Sequence, residues 1–310
     1  LPVFSLDVPS GLDADLGSVC GEAVIASLTL TFIGMKQGLV TGVAKYHCGE
    51  LCVDNLELDE LLKNQKSTVS LADTKLLYSL MPRVKEYAHK GTMGHVVIVG
   101  GDEGMPGAVC LAAEGALRVG AGKVTIVTRE KHFNIVMAAR SEFICLTIED
   151  DFSSLNEVLK TADVCLFGPG MKNSNWSKTL YQACLTFDGP KVIDAGALEL
   201  LSLAPQYIEN TVITPHPGEA GRLLSLTPNQ IEFNRYKAAK SLYEQYAPVC
   251  VLKGSGSIIQ TAAEQAYVCS LGNPGMATAG MGDVLAGMIV GLIPQSDSLK
   301  AAALVGVLLH

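Results

Sequence analysis

Residues 95–128 read HVVIVGGDEGMPGAVCLAAEGALRVGAGKVTIVT. A β-branched run, His95 to Val99, breaks at paired glycines; a small-residue stretch with helical composition follows from Ala108 to Val119, and a second β-branched run, Lys123 to Thr128, closes the unit. Strand, helix and strand in succession predict a βαβ unit. The strand pattern returns as DVCLFG, KVIDAG, NTVITP and PVCVLKG. Strands alternating with helices require a mainly parallel sheet covered by helices on both faces, so the predicted fold class is α/β.

Outward from those strands, the loops are the next signal. GGDEGMPGA, GPG, TPHPGE, KGSGS and GNPGMA each follow a strand. Ligands of open α/β sheets bind beyond the carboxyl ends of the strands, so these loops together predict a pocket. Gly104 to Ala108 and Gly272 to Met276 are each expected to precede a small-residue helix, where free N–H groups and the helix dipole suit a phosphate. GxxxxGK[ST] and GxGxxG after the first strand are both absent, which disfavours a P-loop NTPase and standard dinucleotide binding. GxSxG, HExxH and the kinase signatures are missing too.

Composition sets the remaining bounds. With 310 residues, 48% hydrophobic and 17% charged, the chain has apolar surface for a packed core and too little charge for disorder. A net charge of −8 argues against a nucleic-acid or anionic-membrane partner. The apolar runs Val284 to Ile293 and Ala301 to Leu309 fall short of the roughly 20 residues that span a bilayer. Nine cysteines, most inside apolar runs, read as small buried hydrophobes in a reducing compartment, and a cytoplasmic location is expected. Cys48 and Cys52 beside His47 lack the second Cys/His pair that a zinc site needs, so packing is the expected role. The opening LPVFSLDVPSG has no Met and no charged n-region, and is expected to be the start of a fragment rather than a signal peptide.

The segment richest in chemistry is Gly272 to Gly291, GNPGMATAGMGDVLAGMIVG. Gly280 and Gly282 allow backbone amides close to an anion, and Asp283 falls in the first turn of an apolar helix. A carboxylate there is either a cap, worth about 1 kcal/mol, or a general base that takes a hydroxyl proton while nearby amides stabilise a transferring phosphoryl group. The glycine loop favours the base.

These residues carry a family resemblance. GNPGMATAGMGDVLAGMI, with TPHPGE (214–219), VLKGSGS (251–257), GPG (168–170) and KGTMGHVVIVGGDEGMPGA (90–108), resembles the NAD(P)H-hydrate dehydratase family, a ribokinase-like fold. SLDVPSGLDAD, TLTFIGMKQGL and CGEL, within residues 1–60, resemble the C-terminal part of the NAD(P)H-hydrate epimerase domain, a Rossmann-like α/β domain present here in part. The resemblance implies a partial epimerase domain over 1–60, a linker over 61–74 and a dehydratase domain over 75–310, in a bifunctional repair protein truncated at both ends. It implies ADP- or ATP-dependent dehydration of the S-epimer of NADHX or NADPHX, by phosphorylation of the added hydroxyl and loss of phosphate. Asp283 would bind the hydrate and act as the base. Ala108, Gly170 and His216 would contact the hydrate; Lys253, Gly254, Ser255, Gly256, Ser257 and Gly282 would hold the nucleotide. Mg²⁺ would neutralise donor phosphates. Asp7 and Ser10 match epimerase positions that bind the hydrate and a potassium ion, but the Asn- and Gly-rich loop expected earlier in that domain is absent, so epimerase activity is not expected. Other copies of the chain, as a homo-oligomer, are the expected macromolecular partners.

Simpler roles compete for some of these residues. His216, between two prolines, could serve to fix its loop; Lys253 could be a solvated strand end; Asp194 either orients loops or holds water-bound metal. Three departures from the family pattern stand out: Gly196 replaces a second acidic residue, Met281 replaces a small residue or Thr, and Met171–Lys172 follows GPG. If the lost carboxylate holds metal-bound water, Gly196→Asp should raise turnover and lower the Mg²⁺ requirement; if Gly196 adopts φ > 0, Asp should strain the loop. The alternatives to a dehydratase are a ribokinase-like kinase of vitamin precursors and an inactive nucleotide-binding homologue.

Overall fold

The computed structural model describes residues 1–58, 60, 65, 67–84 and 86–310. Near the start, β1 (Phe4–Leu6), β2 (Leu28–Phe32) and β3 (Glu50–Asp54) pair in parallel as a three-stranded sheet in that order. The main sheet has ten strands: β4 (Val69–Leu71), β5 (His95–Val99), β6 (Lys123–Thr128), β7 (Ile144–Thr147), β8 (Val164–Phe167), β9 (Lys191–Ile193), β10 (Thr211–Ile213), β11 (Val249–Leu252), β12 (Ser257–Ala262) and β13 (Gln265–Cys269). Their order is β4-β13-β12-β11-β10-β9-β8-β5-β6-β7. Pairing is parallel except where β12 runs antiparallel to β11 and β13.

Alternation along the strands divides the core. Val97, Val99, Cys165 and Phe167 face one side, where the helices Asn175–Leu185, Gly196–Leu203, Pro217–Leu224 and Arg235–Tyr246 cover them. Val96, Ile98, Val164 and Leu166 face the other, under Pro106–Arg118, Met281–Leu292 and Leu299–Leu309. Central strands therefore carry apolar residues at consecutive positions, as a sheet covered on both faces demands.

Two local expectations change. Val69–Leu71, inside the stretch read as linker, pairs with Ala266–Val268 as the edge strand of the main sheet. Three residues are too few to show a period-2 pattern, so a strand this short reads as connection; positions 61–64 and 66 of that stretch lie outside the described residues. The loop at Gly272 leads into a short 3₁₀ turn, Pro274–Met276, and the helix itself begins at Met281. Cys48 is buried, its thiol pushed up to about 11 by that burial, and all nine cysteines are free. Among the described residues no three His, Cys, Asp or Glu side chains gather as a metal site, and no helix is long and apolar enough to cross a membrane.

Candidate active site

The strand order reverses beside β5: the chain runs outward through β6 and β7 on one side, and through β8 to β11 on the other. Such a switch point opens a crevice beyond the strand ends. Here the loops after β5 and β8 interlock, with Gly101 N–H donating to the Pro169 carbonyl at 2.8 Å and Asp102 N–H to Gly170 at 2.9 Å. A methyl group on Gly170 would stand 3.2 Å from the Ala108 Cβ, so these two predicted substrate positions are neighbours. Asp102 anchors the crossing. Its buried carboxylate accepts from Arg129 Nη2 at 2.9 Å, Ser174 Oγ at 2.5 Å and Ser177 Oγ at 3.1 Å, and these bonds hold it below the usual carboxylate range despite burial.

Asp283 reaches the same edge because two helices pack unusually closely. A Cβ at Gly287 would lie 1.9 Å from the Ala112 carbonyl oxygen, and one at Gly115 would lie 2.6 Å from the Val284 oxygen. Only glycine lets Met281–Leu292 lie so near Pro106–Arg118. Gly280, with φ +90, forms the N-cap and turns the chain into the helix. The Asp283 carboxylate caps no helix amide and has no hydrogen-bond partner among the described residues, so the capping role is not the one realised. Burial, with the Asp194 and Glu219 charges, raises its pKa to about 7 against the opposing pull of Lys253.

The remaining strand ends supply a cluster of charges. Asp194 follows β9, Thr214 to His216 follow β10 and Lys253 follows β11. Lys253 Nζ donates to Asp194 Oδ1 at 2.7 Å and lies 3.8 Å from Glu219 Oε2; Thr214 Oγ1 also donates to Asp194 Oδ1, at 2.9 Å. Burial works against the ammonium, but Asp194 and Glu219 outweigh it and keep Lys253 charged. Lys253 is therefore no solvated strand end. Burial raises Glu219 to about 6. His216 Nδ1 accepts from Gly218 N–H at 2.9 Å while the His216 backbone N–H donates to Glu219 Oε2 at 2.8 Å, a capping box that starts the helix Pro217–Leu224. Its ring is half exposed and held neutral by burial and by Lys253. A methyl on Gly282 would stand 3.1 Å from Lys253 Nζ and 3.9 Å from Asp194 Oδ2, so the Asp283 turn abuts the cluster.

Other predicted positions fall as follows. Lys253, Gly254, Ser255, Gly256 and Ser257 turn from β11 into β12, with the N–H groups of Gly254, Ser255 and Gly256 accepted by nothing among the described residues. Gly196 departs from both expectations. Its φ is not positive, yet a Cβ there would lie 2.2 Å from the Met171 carbonyl oxygen, so a close backbone approach demands the glycine and leaves no room for a carboxylate. Asp7, at φ +66 after β1, accepts from Lys36 Nζ at 2.5 Å and from Phe32 N–H at 3.1 Å. With Ser10 it lies in the loop that follows β1 of the three-stranded sheet. Ser10 is exposed, and Asp7 pairs with the Lys36 ammonium. Glu219 and Asp102 were missed as site residues. The signals available were the His-x-x-Glu capping spacing and an acid directly after a Gly-Gly strand end.

Fold and site together define a ribokinase-like α/β protein with an acid and a lysine at the carboxyl edge of its sheet. Residues 96–310 match the NAD(P)H-hydrate dehydratase family, well over half of the chain, and the chain belongs to that family. Residues 1–38 match the YjeF-related protein N-terminus. The bifunctional NAD(P)H-hydrate repair enzyme Nnr of Coxiella burnetii is 47% identical over 311 residues, covering 99% of this chain and 63% of that protein. Its counterpart in Escherichia coli K12 is 41% identical, covering 100% and 60%. The chain thus spans about three-fifths of the length of these curated relatives. Among solved structures, the ADP/ATP-dependent NAD(P)H-hydrate dehydratase of Bacillus subtilis, co-crystallized with ATP/Mg²⁺, superposes with a TM-score of 0.70 at 29% identity, covering 78% of this chain and 87% of that one. A ribokinase-like superfamily protein from Enterococcus faecalis V583 gives 0.72 at 28%, covering 79% and 87%.

Proposed function

We propose that this chain dehydrates (6S)-NADHX and (6S)-NADPHX back to NADH and NADPH with ADP or ATP as phosphoryl donor. The observation that carries the reading is the juxtaposition of Asp283, a carboxylate with no structural hydrogen bond, with Lys253 and the unpartnered amides beside it. In this reading the hydrate occupies the crevice at Ala108, Gly170 and His216, and the donor lies along Lys253 to Ser257 and Gly282. Asp283 takes the proton of the hydrate hydroxyl as that oxygen attacks the terminal phosphoryl group, and a base with a pKa near the working pH suits that step. Lys253 and the loop amides stabilise the charge that gathers on the transferred group. The donor's bridging P–O bond breaks and it departs one phosphate shorter; loss of inorganic phosphate together with a proton from the adjacent ring carbon then restores the ring double bond.

Mg²⁺ supplies neutralisation of the donor phosphates when bound. The residues fit such an ion: Asp194 would hold it through Oδ2, since Lys253 and Thr214 take Oδ1, with Glu219 beside it, and carboxylates with phosphate and water oxygens form the usual donor set of Mg²⁺. No step requires potassium. A cytoplasmic location and a homo-oligomer belong to the same reading, the latter to be measured as mass in solution.

The test incubates the chain with NADH hydrate, Mg²⁺ and either ADP or ATP. Recovery of dihydronicotinamide absorbance together with release of inorganic phosphate is expected, and chelation of Mg²⁺ should abolish both. Release of a stable phosphorylated product without recovered absorbance would establish a kinase instead, and nucleotide binding without any turnover would establish an inactive homologue.

A further inference from the structure

Arg235 is the largest fully buried side chain described, and the chemistry above makes no use of it. Its Nη1 donates to Glu232 Oε1 at 2.8 Å, its Nη2 to the carbonyls of Leu252 and Lys253 at 3.3 and 3.2 Å, and its Nε to Thr41 Oγ1 at 3.0 Å. Thr41 lies almost two hundred positions upstream, just past the 3₁₀ turn Gln37–Val40 that follows β2, and is itself fully buried. Its hydroxyl hydrogen donates to the Gly256 carbonyl at 2.8 Å, and the N–H of Gly42 donates to the Ser255 carbonyl at 2.8 Å. Four carbonyls of segment 252–256 are thus held from behind by Arg235 and the 41–42 backbone and side chain.

This grip decides where the amides point. In a trans peptide the N–H and C=O of one unit are directed oppositely, and these peptides are trans. With the Lys253 and Ser255 carbonyls drawn toward Arg235 and Gly42, the N–H groups of Gly254 and Gly256 project to the opposite side. Successive backbone amides presented in this way form an anion-binding concavity. The other contacts of the 37–45 segment hold its position without touching the loop: Tyr236 OH donates to the Gln37 carbonyl at 2.8 Å and Lys45 Nζ to the Ser270 carbonyl at 2.6 Å.

We propose that Thr41 is a positioning residue for the phosphoryl donor: its hydroxyl, with Arg235, fixes segment 252–256 from the rear so that the Gly254 and Gly256 amides meet the phosphates of a nucleoside di- or triphosphate. The inference rests on the assignment of Lys253 to Ser257 as the donor site. It makes donor affinity, and not hydrate affinity, depend on a residue from the amino-terminal unit.

The test measures ADP and ATP affinity calorimetrically in the presence of Mg²⁺, alongside kcat and the KM for hydrate, in Thr41→Val, Thr41→Ser and Tyr236→Phe. Removing one buried hydroxyl bond should weaken donor binding by about tenfold in Thr41→Val. Its KM for hydrate and its kcat at saturating donor should stay within about twofold of the parent, while Thr41→Ser and Tyr236→Phe bind donor as the parent does. If Thr41→Val has no cooperative melting transition, Thr41→Ala is read by the same criteria. Parental donor affinity in the folded valine or alanine variant would overturn the inference, as would an equal loss in Tyr236→Phe or a parallel rise in the KM for hydrate. A parent chain that binds neither ADP nor ATP would overturn the donor-site assignment and, with it, this inference.

Discussion

Asp283 and Gly196 show how differently single residues declare themselves. An acid after a glycine loop at a helix start reads in the sequence as either a cap or a base, and the structure leaves the Asp283 carboxylate without the hydrogen bond that a cap makes. Asp283→Asn keeps the shape without the basicity, and is expected to lower kcat by about 10²- to 10⁴-fold with donor affinity near the parent's. For the parent, kcat/KM for the hydrate should rise with pH below about 7 and level off above it, because only the deprotonated carboxylate accepts the proton. A flat profile across that range would remove Asp283 as the base. Gly196 could not be read the same way: the Met171 carbonyl that fills the space beside its Cα comes from another loop. Gly196→Asp should therefore lower the melting temperature by several degrees and bring no gain in turnover or in Mg²⁺ requirement, since the new Cβ collides with backbone, which cannot rotate aside. Melting curves and a Mg²⁺ titration of activity check both halves.

Elements were legible in proportion to how much of their environment is local. Runs such as Val96 to Val99 and Cys250 to Leu252 announce strands buried on both faces, and the glycine loops announce the edge where they end. The short strand Val69–Leu71 was not legible, because its partner Ala266–Val268 lies far along the chain. Nor was the partner of the helix Met281–Leu292. Its glycines looked like general small-residue packing, yet Gly287 and Gly291 lie directly against the Ala112 and Ala116 carbonyls. This contact sets the distance from Asp283 to the switch point, so it links packing to function. Gly287→Ala should destabilise by about 1–3 kcal/mol and reduce turnover more than tenfold, because the helix must move outward and carry Asp283 with it. Gly107→Ala, whose Cα faces open space, should keep the parental melting temperature. Equal behaviour of the two variants in thermal melts would show that the close approach is not limiting.

At the scale of the whole molecule, the site gathers buried charge that the fold carries at a cost, and the cost depends on pH. Asp283 and Glu219 have folded pKa values of about 7 and about 6, above their ordinary 3.8 and 4.5. An acid whose pKa is raised by folding binds more protons in the native state, so its stabilising contribution is complete below the ordinary pKa and is lost as pH rises through the folded one. The histidines at 95, 132, 216 and 310 act oppositely: burial lowers each of them, so they cost stability as pH falls below about 6.5, where the unfolded chain takes up their protons. The carboxylates of Asp102, Glu114 and Glu149, lowered by their arginine and hydroxyl partners, matter only in stronger acid. The histidine and low-pKa carboxylate contributions are common to the parent and to Asp283→Asn, so the difference between the two isolates the Asp283 carboxylate. The parent's melting temperature should therefore fall by a few degrees relative to that of Asp283→Asn between pH 5 and 8, because the Asn variant never acquires the buried charge. The gap between the two curves should open from pH 5 upward and be constant above pH 8. Parallel curves from pH 5 to 9, measured without nucleotide, would mean that the Asp283 carboxylate is solvated in the folded protein and that its environment does not tune it for proton transfer.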